Sequence, residues 1–208
     1  MSTKRLPYWV KRHQEQGEKT VGNKAFNQEK FEAKSLQAAS LLSSFLFEHG
    51  ITGGKILDAG CGVGRLSGTL IPRFFDEVQG IDIVPWAIER AKINCPLGNF
   101  QVFDGVTIPF PDGHFDAALS WTVLQHIPPD EIEQACSELE RVIRPGGNLI
   151  LYENTSTWEK DGEHIWFRSM EEYQRLFPQS ELVANRVVEK ADDTPQEHLL
   201  MLFEKGEK

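Results

Sequence analysis

The feature of this 208-residue chain that most constrains its fold is a glycine-rich turn between a predicted buried strand and a predicted helix. The turn reads Ile56-Leu57-Asp58-Ala59-Gly60-Cys61-Gly62-Val63-Gly64-Arg65. Because glycine has no Cβ, glycines at alternate positions let the backbone turn sharply and let a ligand lie against it. The spacing differs from the G-x-G-x-x-G fingerprint of dinucleotide-binding loops, so it indicates a ligand-binding loop of another kind.

Predicted strands and helices alternate from Lys55 onward, which is typical of a doubly wound α/β fold. Helical periodicity is clearest over Asp130–Arg144, and Pro145-Gly146-Gly147 ends it. We expect the last two strands to form an antiparallel hairpin at one edge of the sheet. The predicted strands are 55–58, 77–82, 100–104, 115–121, 148–152, 182–188 and 198–203, and the predicted helices are 65–74, 85–94, 130–144 and 170–177.

The first fifty residues lie outside this alternation. Residues 31–50 have the apolar periodicity of an amphipathic helix that ends at Gly50, with Leu36 among its apolar positions, whereas residues 7–27 have no clean period. We therefore expect a helical cap or lid over residues 1–50 and one α/β domain over residues 51–208.

Composition disfavours several classes of protein. The net charge of −9 disfavours non-specific nucleic-acid binding, and no apolar run approaches the ~20 residues that span a bilayer. We therefore expect neither a nucleic-acid nor a membrane partner. Residues 1–9 lack the apolar core of a signal peptide, so we expect a cytoplasmic location. The three cysteines match no zinc-binding spacing, and we expect no metal site.

Acidic residues stand at the carboxyl ends of three predicted strands: Asp58, Asp82 and Asp104. Ligands of open α/β sheets bind beyond these ends, and a buried acid without a partner is costly. Asp82 can accept hydrogen bonds from both hydroxyls of a ribose, whether in NAD or in another adenosine ligand. Singly, each acid has an alternative role as a turn former or helix cap. The ordered set favours a nucleoside ligand.

Together these segments resemble the class I S-adenosylmethionine (SAM) dependent methyltransferases, over roughly residues 51–152. The resemblance implies a Rossmann-like, seven-stranded, mostly parallel sheet with an antiparallel last strand, SAM as cofactor, and methyl transfer as the activity. Many DNA and protein amino-group methyltransferases carry Asn/Asp-Pro-Pro-Tyr after the fourth strand, whereas the corresponding stretch here is Ser120-Trp121-Thr122-Val123. The resemblance is therefore to the small-molecule branch. Its segments are 56–65, 80–82, 103–105, 108–116, 123–128 and 141–149.

The resemblance also indicates where the cofactor binds. Asp58 would pair with the SAM ammonium directly or through water, and Asp104 would accept from the adenine amino group. Ile83 would pack on the adenine face, and Gly105 would let the base approach. The other predicted cofactor-binding residues are Gly60, Cys61, Gly62, Gly64, Arg65, Asp82 and Trp121. We interpret Cys61 as a small residue near the ligand and not as a nucleophile.

His126 is the predicted catalytic residue. Transfer from SAM is an in-line displacement, so the protein mainly aligns the acceptor and excludes water. A hydroxyl or protonated amine acceptor also needs a base, and an imidazole with a pKa of about 6.5 suits neutral pH. The alternative is that His126 only caps the turn before Pro128-Pro129. A carboxylate acceptor would need no base.

Two clusters outside the core motifs are candidates for substrate binding. Tyr8, Trp9 and Arg12 belong either to a lid over the methionine end of SAM or to an ordinary amphipathic helix. His164, Trp166 and Arg168 either line an acceptor pocket, with Arg168 holding an anion in a bidentate contact, or belong to an ordinary surface loop.

The sequence thus predicts a SAM-dependent methyltransferase that acts on an oxygen or nitrogen of a small-molecule metabolite. One alternative is a SAM-binding module without turnover, and another is a peptide amino-terminal methyltransferase. An NAD-linked oxidoreductase is opposed by the loop spacing and by the lack of an obvious Tyr-x-x-x-Lys pair. The identity of the acceptor and the oligomeric state stay open.

Overall fold

The computed structural model describes residues 5–18, 27–71, 73–156, 164–188 and 197–207. The chain divides into two compact units, and the first ends at Gly105. Within the described ranges, no helix combines the length and the apolar character that crossing a membrane requires.

The first unit contains three parallel strands in the order β3-β2-β1. Residues of β1 and β2 form its centre, and Leu42, Phe45 and Leu46 of an N-terminal helix are fully buried. The elements are α1 (Arg5–Gln16), α2 (Gln28–Glu48), β1 (Lys55–Ala59), α3 (Ser67–Leu70), β2 (Glu77–Asp82), α4 (Pro85–Asn94) and β3 (Asn99–Val102).

Three helices of this unit differ from the prediction. The helix expected over 65–74 is the four-residue α3, and its C-cap Ile71 is extended, with φ −99° and ψ 140°. Ile71 precedes Pro72, and a residue before proline disfavours the helical conformation. α1 forms where no period was recognised. α2 begins at Gln28, because the Asn27 side chain caps it by accepting from Lys30 N at 2.8 Å, and Leu36 on it is 72% exposed.

The second unit contains a parallel pair, β4 and β5, followed by an antiparallel pair, in the order β4-β5-β7-β6. β6 alternates between half-buried and exposed residues, whereas the first six residues of β7 are buried, as expected for an edge strand and its covered neighbour. The elements are β4 (Phe115–Trp121), a 3-10 turn (Leu124–His126), α5 (Ile132–Val142), β5 (Ile143–Asn154), α6 (Met170–Leu176), β6 (Ser180–Val188) and β7 (His198–Lys205).

β5 begins five residues before its predicted start. Ile143 pairs with Phe115, and the register then shifts before Asn148 pairs with Ala117. The Pro-Gly-Gly segment over 145–147 lies within that shift. Over the described ranges, the two units together supply seven strands, of which only the last in sequence runs antiparallel to its neighbours. The predicted Rossmann-like α/β class and the antiparallel hairpin are confirmed.

Candidate functional site

The glycine-rich turn after β1 is held against the end of β2. The backbone N–H groups of Gly60 and Cys61 both donate to the Ile81 carbonyl, at 2.8 and 3.0 Å. Gly60, Gly62 and Gly64 have φ values of 78°, 54° and 76°, in the left-handed region that glycine adopts without steric cost. A Cβ on Gly64 would lie 3.2 Å from Ala91 of α4. The turn therefore requires glycine both for its conformation and for its packing.

Asp82, at the end of β2, binds this turn through its carboxylate. One oxygen accepts from Gly62 N at 3.0 Å, and the other accepts from Val84 N at 2.9 Å. Burial raises the pKa of Asp82, and the backbone N–H bonds oppose that rise. Since each carboxylate oxygen has a second lone pair, Asp82 retains acceptor capacity for a pair of hydroxyls.

Asp58 is the most buried acid of this unit, with 3% of its surface exposed. Its carboxylate accepts from the Ser67 hydroxyl at 2.6 Å. Burial raises the pKa of Asp58 to about 6, although the Ser67 bond and the Arg65 charge lower it. Ser67 is not among the predicted site residues, because its only signal in the sequence is a hydroxyl at the start of the helix that follows the turn.

Gly105 and Ile83 adjoin in the first unit, whereas Asp104 is exposed beyond the end of β3. Gly105 has φ 80°, and a Cβ there would lie 3.1 Å from Cγ2 of Ile83. The carbonyl of Gly105 accepts from Arg5 Nη2 at 2.9 Å. The predicted adenine face and the predicted point of close approach are thus neighbours, and α1 reaches both.

The predicted cluster of Tyr8, Trp9 and Arg12 forms on one side of α1. Tyr8 OH accepts from Arg12 Nη1 at 3.3 Å, and the Arg12 guanidinium lies 5.2 Å from the centre of the Trp9 ring. Trp9 packs on a small apolar cluster that contains Val63 of the glycine-rich turn and Val84. α1 therefore covers residues that the sequence assigns to the cofactor.

Two polar attachments hold α1 and the residues directly after it to the rest of the unit. Near its start, Arg5 donates to the Gly105 carbonyl. Just after the end of α1, the Glu18 carboxylate accepts a hydrogen bond from the Arg90 side chain of α4, with 2.9 Å between Glu18 Oε1 and Arg90 Nε. Between them, His13 lies against Trp86 with ring centres 5.2 Å apart, and burial lowers the pKa of His13 to about 4.

Cys61, predicted as a small residue near the ligand, points its side chain into the core of the first unit. Its side chain lies in an apolar cluster with Ala91, Cys95 and Phe100. Burial raises the pKa of the Cys61 thiol well above its ordinary value, so the thiol is protonated at neutral pH. A protonated, buried thiol is a poor nucleophile.

His126 lies in the second unit, on the 3-10 turn that follows β4. Its Nδ1 atom is 2.8 Å from the His164 carbonyl, which can only accept, so Nδ1 carries the proton and donates. The lone pair of the neutral ring is then on Nε2, which lies 3.3 Å from the Gln125 side-chain nitrogen. This tautomer has one basic nitrogen, as a general base requires.

The turn that carries His126 caps a buried carboxylate. Glu153, at the end of β5, is fully buried and accepts from the backbone N–H groups of Val123, Leu124 and Gln125 at 3.0, 2.9 and 3.2 Å. Burial raises the pKa of Glu153 to about 7, and the three N–H bonds lower it. The sequence places Glu153 and Asn154 in the same candidate substrate-binding cluster as His164, Trp166 and Arg168, but it does not indicate this capping role.

Arg168 is the residue predicted to hold an anionic acceptor in a bidentate contact, and in the structure it binds backbone carbonyls. Its guanidinium is buried, with 6% of the residue exposed, and donates to the carbonyls of Leu124, Ile127 and Trp166 at 2.9, 2.6 and 3.2 Å. Trp166 N in turn donates to the Gln125 carbonyl at 2.7 Å. His164, Trp166 and Arg168 are therefore neighbours of the His126 turn, and Arg168 supports it.

Trp121 ends β4 and stacks on Tyr152 of β5, with ring centres 4.1 Å apart. Tyr152 stacks in turn on His198 at 5.3 Å. Thr122, next to Trp121, has φ 56°, the one positive value of a non-glycine residue in the described ranges. Such strain gathers at functional sites, and here it turns the chain from β4 into the His126 turn.

Comparison with known proteins finds methyltransferases similar to this chain. Residues 56–147 match a family model described as a methyltransferase domain. The 2-methyl-6-phytyl-1,4-hydroquinone methyltransferase of Synechocystis sp. is 36% identical over 102 residues, which are 48% of this chain and 31% of that protein. The botryococcene C-methyltransferase of Botryococcus braunii is 34% identical over 144 residues, which are 65% of this chain and 37% of that protein.

Among solved structures, the magnesium protoporphyrin IX methyltransferase of Synechocystis PCC 6803, with bound S-adenosylhomocysteine (SAH), superposes with a TM-score of 0.78. The match covers 99% of this chain and 100% of that chain at 17% identity, so it shows the shared fold. The chain spans about a third of the length of the two curated relatives named above. The predicted resemblance to the class I SAM-dependent methyltransferases, whose cofactor is SAM, is confirmed over residues 56–147.

The residues of the first unit fit this cofactor. Asp82 offers oxygen acceptors for two ribose hydroxyls, and the turn that it anchors is built on glycines in the left-handed region. Asp58 offers a buried negative charge, which a cationic ammonium stabilises. SAM supplies a methyl group already activated by its positive sulfonium.

Proposed function

We propose that the protein is an enzyme that transfers the methyl group of SAM to an oxygen or nitrogen of a small-molecule acceptor. The observation that carries the proposal is the hydrogen bond from Gly62 N to the Asp82 carboxylate, within a methyltransferase domain. It fixes the turn and the acid together, in the arrangement that a nucleoside needs. The proposed division is a helical cap over 1–50 and a catalytic domain over 51–208.

In the first unit, each residue has a binding or shielding task. Asp82 accepts from the ribose hydroxyls, Asp58 neutralises the ammonium, and Ile83 packs on the adenine, with Asp104 as acceptor for its amino group. α1 acts as a lid, because Trp9 and Arg5 contact the turn cluster and Gly105. Exclusion of water by the lid favours an in-line displacement over hydrolysis. The alternative is that α1 only packs against the rest of the unit and has no part in cofactor binding.

In the second unit, His126 acts as the base. The bond from Nδ1 to the His164 carbonyl leaves Nε2 to accept a proton from the hydroxyl or ammonium of the acceptor. The acceptor takes the place of the Gln125 amide, which lies 3.3 Å from Nε2. A fixed tautomer and a pKa near neutrality are what this step requires.

Phenolic acceptors are the first to test. The Synechocystis relative is named for a 1,4-hydroquinone. A phenolic hydroxyl that is methylated on oxygen must lose its proton, and a histidine base suits that chemistry. A carbon acceptor is the second candidate, because the relative that aligns with 65% of this chain is named as a C-methyltransferase. The two differ in product: an ether or an alkylated carbon.

The test is calorimetric titration with SAM, SAH and NADH, followed by an acceptor screen that measures SAH formation. We expect micromolar binding of SAM and SAH and none of NADH, and turnover with hydroquinones or other phenols, carboxylates or amines. Nuclear magnetic resonance (NMR) of the methylated product distinguishes O, N and C transfer. SAM binding without SAH formation for any acceptor tested would favour a SAM-binding module. Turnover with peptides alone would favour a peptide amino-terminal methyltransferase. NADH binding would overturn the proposal.

A further inference from the structure

The turn that carries His126 is held from two sides by buried groups of opposite charge. On one side, Glu153 accepts from the three successive backbone N–H groups of residues 123–125, at 2.9 to 3.2 Å. On the other side, Arg168 donates to the carbonyls of Leu124 and Ile127, at 2.9 and 2.6 Å. Both charges therefore bind the same short stretch of backbone.

Neither charge is explained by solvent contact, since Glu153 is 0% and Arg168 6% exposed. Burying an ionic group costs several kcal/mol unless hydrogen bonds compensate for the lost water. Here, backbone groups of the turn supply most of these compensating hydrogen bonds. The first N–H groups of a 3-10 turn have no carbonyl partner within the turn itself, so they are available to the Glu153 carboxylate. The turn and the two side chains thus satisfy one another.

We call the arrangement of Glu153 and Arg168 around residues 123–127 the clamp, and the imidazole of His126 belongs to the stretch that it holds. Its Nδ1 donates to the His164 carbonyl at 2.8 Å, and the Gln125 carbonyl accepts from Trp166 N at 2.7 Å. Arg168 also donates to the Trp166 carbonyl, at 3.2 Å, so the segment that fixes the His126 tautomer is itself attached to the clamp. A shift of the turn would break the bond between His126 and His164.

We propose that Glu153 and Arg168 are positioning residues that hold the His126 imidazole in one tautomer and one orientation for proton removal. This inference rests on the proposed function, in which His126 is the base. Neither residue touches the reacting atoms. Each acts through the backbone of residues 123–127. Glu153 binds N–H groups of that backbone, and Arg168 binds carbonyls of it.

The experiment compares Glu153→Gln and Arg168→Lys with two matched controls, Glu140→Gln and Arg141→Lys. Glu140 is 1% exposed and accepts from Gln179 N at 3.0 Å and the Ser180 hydroxyl at 2.7 Å. Arg141 donates to the carbonyls of Ile108 and Phe110, both at 2.9 Å. The controls thus remove a buried carboxylate and a carbonyl-binding guanidinium of the same unit, away from the His126 turn.

The first readout is nitrogen NMR of the histidine rings in the cofactor-free protein, with the His126 signals assigned from their loss in His126→Gln. We expect the wild type and both controls to show the Nδ1–H tautomer. We expect Glu153→Gln and Arg168→Lys to show mixed tautomers and a His126 pKa changed by at least about half a unit. The second readout is kinetic: kcat falls about tenfold or more with the acceptor found in the screen, while the Kd of SAM stays within about twofold.

An unchanged His126 tautomer and pKa in folded Glu153→Gln and Arg168→Lys would overturn the inference. If Glu153→Gln does not fold, Arg168→Lys, which keeps the charge, decides the matter alone. The tautomer readout needs neither SAM nor turnover. Failure of the proposed function, seen as absent SAM binding or as full activity of His126→Gln, is therefore distinguishable from failure of the clamp.

Discussion

Gly62 and Asp82 are joined by a hydrogen bond of 3.0 Å from backbone N to carboxylate, across 20 positions of the chain. The bond connects the turn after β1 to the end of β2. The same carboxylate accepts from Val84 N at the start of α4. One side chain therefore sets the position of two segments that border the proposed nucleoside site.

Replacing Asp82 by Ala is expected to weaken SAM binding by about 1–3 kcal/mol, because the ribose hydroxyls lose their acceptor and the turn loses its anchor. Calorimetry with SAM and SAH measures the effect. The matched control is Asp76→Ala: Asp76 precedes β2 at its other end and accepts from Gly54 N at 2.8 Å. Unchanged SAM affinity in Asp82→Ala would contradict the ribose assignment.

His126→Gln is expected to slow turnover about 10²–10⁴-fold, the usual contribution of general-base catalysis, while SAM affinity stays unchanged. His114→Gln is the control, because His114 stacks on Phe110 in the same unit, with ring centres 5.4 Å apart, and has no proposed catalytic role. Steady-state SAH formation measures both. Full activity of His126→Gln across the pH range would remove His126 as the base.

The raised pKa of Asp58 gives a pH dependence of stability. Burial moves the pKa from 3.8 to about 6, so between these values the folded protein holds a proton that the unfolded chain has released. The free energy of unfolding of the cofactor-free protein therefore decreases from about pH 4 to about pH 6, by about 3 kcal/mol from this group. Asp58→Asn should remove that slope, as denaturant titrations at several pH values would report.

SAM binding should show the opposite preference. Its ammonium is stabilised by the Asp58 carboxylate and not by the neutral acid, so affinity should fall about tenfold per pH unit below about pH 6. Calorimetry from pH 5 to pH 8 measures this affinity. We expect Asp58→Asn to bind SAM weakly, with an affinity that does not change with pH. Equal affinity at pH 5 and pH 7 in the wild type would argue against a direct pairing.

The lid hypothesis predicts a kinetic effect of Arg5→Ala. Loss of the bond to the Gly105 carbonyl frees the start of α1, so SAM should dissociate several-fold faster, with a change of about 0.5–1.5 kcal/mol. Lys11→Ala is the control, since Lys11 lies on the exposed side of α1, 3.9 Å from Glu15. Stopped-flow displacement of SAM by SAH reports the rates. Equal rates in both variants would leave α1 as a packing helix.

Sequence patterns predicted the strands well, because each buried strand is a short apolar run between turn residues. Val78 and Ile81 of β2, for example, lie in the core as expected. The patterns failed where burial is slight or local chemistry decides. α1 buries only His13, so its apolar signal is weak, and α3 is shortened by the residue before a proline.

The residues of the first unit that we propose to bind the cofactor stand out in the sequence because glycine spacing and strand-end acids are local signals. The support of His126 does not. Glu153 and Arg168 bind backbone groups of residues 123–127, and backbone groups are the same in every sequence. The roles of Glu153, at the end of β5, and of Arg168 become apparent only in the structure, which shows both side chains bound to the turn that carries His126.

The attachments of α1 bear on how the spent cofactor departs in the proposed lid mechanism. There, α1 lifts for SAH to leave, and this movement breaks the bond from Arg5 and the ion pair of Glu18 with Arg90, whose side chains are each 38% exposed. A half-exposed ion pair is weakened by salt. Product release should therefore quicken as ionic strength rises, so that inhibition by SAH and the turnover rate respond to the salt content of the medium even though the reacting groups do not.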